Sequence, residues 1–232
     1  MDYEFKFKDD CPYKGACKDE EDKGCSSLCA RYCELDYLLN TSNIPKTMRK
    51  QNKLRPMNDK DKETFVQLAS IKSDINNFVY NGNNLYIWGN NTGSGKSFWA
   101  SKLLKAYIGS VHIGNQFTDR CMFIYVPTLL VKIKDFTDNN ARIELIRKVS
   151  TLDLVVMDDI GSVSTSKYDL TILSSIIDYR YSNGLSTIYT SNLAPDDLDA
   201  TVDVRIADRV LSGYCMEITA GSMRGKGGVY NK

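Results

Sequence analysis

The chain has 232 residues, enough for one full core with a small appended module. Charged residues make up 25% and hydrophobic ones 42%, and a formal net charge of +1 excludes a chain drawn to nucleic acid or to anionic membrane by its overall charge. No apolar run reaches bilayer-spanning length and the N-terminus resembles no secretory signal, so an intracellular, cytoplasmic protein without a membrane partner is expected.

In such a compartment the seven cysteines read as thiolate ligands or buried thiols rather than disulfides. Five of them, Cys11, Cys17, Cys25, Cys29 and Cys33, fall in one short segment. A segment of this size cannot build a core of its own, and a four-thiolate Zn²⁺ site would supply the missing folding energy. The expected ligands are Cys11, Cys17, Cys25 and Cys29, with Cys33 spare on the same helix face as the last two. An iron–sulfur cluster or unligated thiols are the alternatives. Residues 1–40 are therefore expected to form a Cys-rich zinc-binding module. Residues 41–58 then carry Lys46, Arg49, Lys50, Lys53 and Arg55, with no acid between the first and last of them. This reads as a basic linker, either solvated or tracking a phosphate backbone.

Residues 59–80 place Phe65, Leu68, Ile71, Ile75 and Phe78 at helical spacing, with Asn58 or Asp59 as cap. A four-residue buried strand, Leu85 to Trp88, leads into a Gly/Asn/Ser-rich loop and a helix opened by Lys96 and Ser97. Strand, glycine loop and helix together form a phosphate-binding P-loop. Gly93, Ser94 and Gly95 turn backbone N–H groups onto phosphate oxygens, and the helix N-terminus adds its dipole. Lys96 would meet the β- and γ-phosphates, Ser97 would offer a hydroxyl to Mg²⁺, and Phe98 completes the candidate ATP-binding set. One position departs from the usual pattern: Asn90 stands where a glycine is expected, and Gly89 lies one residue early.

A second buried strand is expected over 121–126, stopped by Pro127, with helices following near 128–134 and 141–149. Residues 152–161 are an apolar run ending in Asp158 and Asp159. A buried strand that ends in acids opposite a P-loop is a Walker B motif, in which Asp158 holds Mg²⁺ and Asp159 orients or deprotonates the attacking water. A helix over 168–181 and a strand over 186–190, ending in Ser191 and Asn192, come next. The last third carries Arg205 and Arg209 one helical turn apart, a strand over 215–219 and a Gly-rich tail with Arg224. The two arginines form either a surface salt-bridge ladder or a cation pair aimed at a neighbour's γ-phosphate.

This ordered set of motifs resembles the AAA+ ATPases, and among them the DnaC/DnaI-type replicative helicase loaders of phage type. The resemblance implies an α/β fold: a three-layer αβα core on a parallel five-stranded sheet of order 5-1-4-3-2, without a C-terminal lid domain. Residues 59–232 would be the AAA+ ATPase domain, and the cysteine module would engage the helicase. By resemblance Asn192 is the sensor-1 residue, Arg205 or Arg209 the arginine finger, and Arg224 the sensor-2 arginine. Lys132 and Lys134 would face DNA. The implied function is ATP-dependent loading of a hexameric replicative DNA helicase onto single-stranded DNA by an ATP-dependent homo-oligomer. Asp159 in place of the more usual glutamate points to slow turnover. A transposition-helper ATPase of the IstB type, or a nucleotide-binding replication adaptor with negligible hydrolysis, are the alternatives.

Overall fold

The apolar runs become five strands: β1 (Leu85–Trp88), β2 (Cys121–Tyr125), β3 (Leu154–Asp158), β4 (Ser186–Ser191) and β5 (Tyr214–Glu217). They form one sheet in the order β2-β3-β4-β1-β5, with every pair parallel. Read from the other edge, this is the expected 5-1-4-3-2. The structure is a computed structural model that describes residues 11, 29–49, 56, 58–111, 117–162 and 166–221. Cys17, Cys25 and Arg224 lie outside these residues.

The helices are α1 (Ala30–Thr41), α2 (Lys46–Arg49), α3 (Asp59–Ser73), α4 (Ile75–Tyr80), α5 (Lys96–Ser110), α6 (Val126–Asp135), α7 (Asn139–Thr151), α8 (Lys167–Ser182), α9 (Pro195–Thr201) and α10 (Val204–Val210). Alternation along the strands divides the core in two. Leu85, Ile87, Leu154, Val156 and Ile188 enter one cluster with Phe65, Leu68, Leu103 and Leu104. Tyr86, Val155, Met157 and Tyr189 enter the other with Leu129, Ile133, Leu173 and Ile176. Both faces of the sheet are covered, which is why β3 and β4 are buried at every residue. Each fully buried aliphatic side chain contributes about 1.5–3 kcal/mol.

Local chemistry explains where the helices begin. The Asn58 side chain accepts the Asp61 N–H at 2.7 Å and opens α3. Ser166 and Asp169 form a reciprocal capping box at the start of α8. Two expectations shift. The helix over 59–80 is divided at Asp74, whose φ of −122° and ψ of 36° leave the helical region. Pro127 does not merely stop β2; it sits in the first turn of α6, where its missing N–H has no partner to lose.

Leu35 and Leu38 of α1, together with Ile44, are buried in the first cluster. The stretch that reads as the end of a cysteine module and the start of a linker therefore packs on the sheet domain through α5. At the far end of the sheet, Arg180 is fully buried. Its guanidinium donates to the carbonyls of Val149 (3.0 Å), Leu152 (2.7 Å) and Ser186 (2.5 Å), and to the Thr187 hydroxyl (2.8 Å). These bonds pin the α7–β3 turn to the start of β4, and burial lowers the arginine to about 10.

Candidate nucleotide site

The loop after β1 turns on two left-handed glycines, Gly93 at φ 78° and Gly95 at φ 103°, the second forming the N-cap of α5. Asn90, Asn91 and Thr92 are exposed, while Ser94, Gly95 and Lys96 are buried. The additional residue between Gly89 and Gly95 is thus taken up in the outer limb of the loop, away from the residues that would touch phosphate. Gly89 has its own requirement: a Cβ there would stand 2.1 Å from the Ile218 carbonyl oxygen.

Lys96 folds back over the loop. Its Nζ donates to the carbonyls of Gly89 (2.8 Å) and Asn91 (2.9 Å) and to the Ser94 hydroxyl (3.2 Å). All three acceptors are neutral, and burial lowers its pKa against the raising pull of Asp159 and Asp158. A phosphate offered to this ammonium would replace carbonyl dipoles by formal charge.

The acids stand where β3 ends. Parallel pairing puts β4 between β1 and β3, so the strand that leads into the P-loop and the strand that ends in the acids are about two strand spacings, roughly 10 Å, apart, a gap their side chains close. Asp158 is buried and accepts from the Thr190 hydroxyl at 2.6 Å and from the Ser97 hydroxyl. Burial raises its pKa, against these two bonds and Lys96. A carboxylate and a hydroxyl brought together beside a phosphate loop are hard oxygen donors that fit Mg²⁺.

Asp159 adopts a left-handed φ of 65°, which turns its side chain out of the strand. Its N–H donates to the Thr190 hydroxyl at 3.0 Å. One carboxylate oxygen accepts from Asn192 Nδ2 and the other from the Tyr125 hydroxyl, both at 3.2 Å. Lys96, Ser97, Asp158, Asp159 and Asn192 therefore converge at one end of the sheet. Thr190 and Tyr125 join them without having been singled out in the sequence. The only signal for Tyr125 is its register opposite Asp158 across β2 and β3.

Arg205 and Arg209 do not pair with the Asp208 that separates them. Both reach Asp178 on α8, Arg209 at 3.0 Å and Arg205 at 3.4 Å. Lys134 is bound to the buried Asp169 at 2.8 Å. Cys29 stands at the N-cap of α1 and Cys33 one turn further on. Among the described residues no group of three or more His, Cys, Asp or Glu could hold a metal. No helix among them is long and apolar enough to cross a membrane.

A parallel 2-3-4-1-5 sheet with these side chains at its C-terminal edge invites comparison with known proteins. Residues 30–227 match the family described as IstB-like ATP binding protein. The chain belongs to that family. Its relatives include the replicative helicase loader DnaI of Bacillus subtilis (strain 168), 30% identical over 121 residues, which is 50% of this chain and 35% of the relative. The replicative helicase loader DnaC of Buchnera aphidicola subsp. Baizongia pistaciae is 31% identical over 137 residues, 58% of this chain and 53% of the relative. The chain thus matches about half or less of the length of these curated relatives.

Among solved structures, that of the DnaC helicase loader superposes with a TM-score of 0.65 at 22% identity, covering 75% of this chain and all of the other. DnaI gives 0.60 at 20%, over 78% and 95%. The replication initiator DnaA bound to AMPPCP and single-stranded DNA gives 0.58 at 16%, over 71% and 48%. These likenesses establish that the IstB-like domain shares the fold of these replication proteins.

Proposed function

We propose that this IstB-like protein is an ATP-dependent loader that holds a hexameric replicative DNA helicase and delivers it to single-stranded DNA. The observation that carries the reading is the convergence of Lys96, Ser97, Asp158, Asp159 and Asn192 at one sheet edge, in a chain whose curated relatives are named replicative helicase loaders. In this reading Gly93, Ser94, Gly95 and Lys96 receive the phosphates, and Phe98 lines the same site. Ser97 and Asp158 would hold Mg²⁺, which supplies charge neutralisation at the β- and γ-phosphates. Asp159, steadied by Asn192, orients the attacking water. Its short side chain suits slow turnover, as in a switch. Arg205 or Arg209 would serve a neighbouring subunit, and Arg224 the same chain.

The cysteine segment up to residue 40 is proposed to engage the helicase, with Cys11, Cys17, Cys25 and Cys29 as its Zn²⁺ ligands. Metal analysis should then give close to one zinc per chain; a metal-free chain that still captured helicase would refute that part.

The deciding experiment is co-purification of the full chain with the cognate replicative helicase, with and without ATP, alongside ATPase assays with single-stranded DNA. Capture that ATP strengthens or releases is expected. Absence of capture under both conditions would overturn the loader reading. The family description favours one other reading, a transposition-helper ATPase, for which a transposase would be captured instead. Capture of helicase with no measurable hydrolysis would leave an adaptor.

A further inference from the structure

The first two turns of α3 are fastened to the chain leaving β5 by several polar bonds. Lys60 Nζ lies 2.5 Å from Glu217 Oε2, and the Thr64 hydroxyl donates to the Glu217 carbonyl at 2.9 Å. Asn58 Nδ2 donates to the Thr219 hydroxyl at 2.8 Å. Asp61 differs from these three in being fully buried. Its Oδ1 accepts twice, from the Thr219 N–H at 2.8 Å and from the Thr219 hydroxyl at 2.9 Å. Among the described residues its Oδ2 has no hydrogen-bond partner. A buried carboxylate with one oxygen unanswered costs free energy, and the neighbouring bonds already hold the helix. Fastening α3 is therefore not enough to explain it.

The other side of Thr219 meets the phosphate loop. Its carbonyl accepts from Asn91 Nδ2 at 3.3 Å, and the Asn91 carbonyl in turn accepts from Lys96 Nζ at 2.9 Å. Asn91 lies in the exposed outer limb of the loop, so these bonds tie that limb to α3. The second carbonyl under the ammonium is that of Gly89, at 2.8 Å. It is braced by the residue before Thr219. Ile218 donates its N–H to the Trp88 carbonyl, and its own carbonyl leaves no room for a Cβ at Gly89. Residues 218 and 219 thus stand behind both backbone acceptors of Lys96, and Asp61 holds residue 219 in place.

We propose that Asp61 is a positioning residue for the phosphate loop: through Thr219 and Asn91 it fixes the carbonyls that aim Lys96. The inference rests on the reading of residues 89–97 as the loop that receives the phosphates of ATP, and it takes nothing from the loader function. A loop whose acceptors are held before the nucleotide arrives loses less freedom on binding. The effect falls on affinity for the phosphates rather than for the base or ribose.

The test is calorimetric titration of the full chain with Mg²⁺-ATP and, separately, with Mg²⁺-tripolyphosphate, which has phosphates and no nucleoside. Asp61→Ala should weaken both ligands about fivefold, the value of roughly one hydrogen bond. Asp61→Asn keeps an oxygen for Thr219 and should return both to within about twofold of wild type. Asn91→Ala should weaken both about threefold, and the two alanine changes together should cost no more than Asp61→Ala alone, because they cut one chain of bonds. Unchanged affinities in Asp61→Ala, with only the Tm lowered, would overturn the proposal and leave Asp61 as a fastener of α3. Weakened ATP with unchanged tripolyphosphate would overturn it as well, by assigning Asp61 to the base or ribose. Should Asp61→Ala not fold, Asn91→Ala and Thr219→Val decide, and unchanged affinity in either is the refutation. Lys96→Ala, titrated alongside, tests the loop itself. If it binds tripolyphosphate like wild type, the phosphate-loop reading fails; if it loses binding while Asp61→Ala and Asn91→Ala have no effect, only the role of Asp61 is refuted.

Discussion

Thr190 holds both acids at the end of β3 at once, donating its hydroxyl to Asp158 and accepting the Asp159 N–H. The consequence is a carboxylate kept in place by neutral groups inside a buried site, with its pKa raised chiefly by burial. A carboxyl whose folded pKa lies above its unfolded value costs stability once the pH exceeds that unfolded value, so the cost is present at neutral pH. Asp158→Asn should therefore raise the Tm of the nucleotide-free protein, by about 2–4 °C for each kcal/mol relieved. The same change should remove the Mg²⁺-dependent part of the ATP-induced Tm shift, measured by thermal melts with and without Mg²⁺. Lys96→Ala should abolish ATP binding outright, whereas Asp159→Asn should bind ATP normally and fail to hydrolyse it; filter binding and phosphate release separate the two. Lys96, Ser97, Asp158 and Asp159 were legible in the sequence because each motif is contiguous and its flanks carry strand or helix periodicity. Thr190 and Tyr125 were not, because their contacts arise from parallel register between strands that are distant in the chain.

At the scale of elements, the phosphate loop is shaped by the neighbour of β1 as much as by its own glycines. β5 pairs with β1, and the chain leaving it closes over Gly89: the Ile218 N–H donates to the Trp88 carbonyl at 2.8 Å, and the Ile218 carbonyl leaves no room for a Cβ at Gly89. Gly89→Ala should cost about 1–3 kcal/mol by prising β5 from β1, read as a lower urea midpoint with an unchanged m-value. Asn90, where the usual motif has glycine, is exposed, so Asn90→Gly should leave ATP affinity within about twofold. The motif's irregularity is visible in the sequence, but the exposure of Asn90 is not, since that depends on how the loop folds beside β5. The five strands themselves were legible as short apolar runs that helices cover on both sides. The packing of α1 and α2 was obscured by composition: lysines and cysteines surround Leu35, Leu38 and Ile44, and only the fold reveals that these three reach the core.

For the whole molecule the proposed loader function asks how hydrolysis would be tied to assembly, and the arginines on α10 offer an answer. P-loop residues answer the charge already on the phosphates, but the charge that develops at the γ-phosphoryl needs a further cation. Asp178 holds both arginines within one chain, though unequally. Arg209 is 23% exposed, lies over the Tyr181 ring at 5.9 Å and donates to the Arg205 carbonyl at 3.2 Å. Arg205 is 71% exposed and makes the longer contact, 3.4 Å, with Asp178. An exposed ion pair of this kind is worth about 0–1 kcal/mol, so Arg205 can leave Asp178 for a neighbour's phosphate at little cost, while Arg209 is tied into its own subunit. Arg205 is therefore the arginine proposed to act in trans. Arg205→Ala should keep ATP binding and Tm but lose ATPase activity and ATP-dependent self-association; Arg209→Ala should instead lower the Tm. Mixing provides the decisive measurement. Arg205→Ala supplies an intact P-loop and Lys96→Ala an intact arginine, so two inactive proteins should recover part of the activity when combined. Absence of recovery at every ratio, in mixtures shown by sedimentation to co-assemble, would leave Arg205 as a surface partner of Asp178 and nothing more.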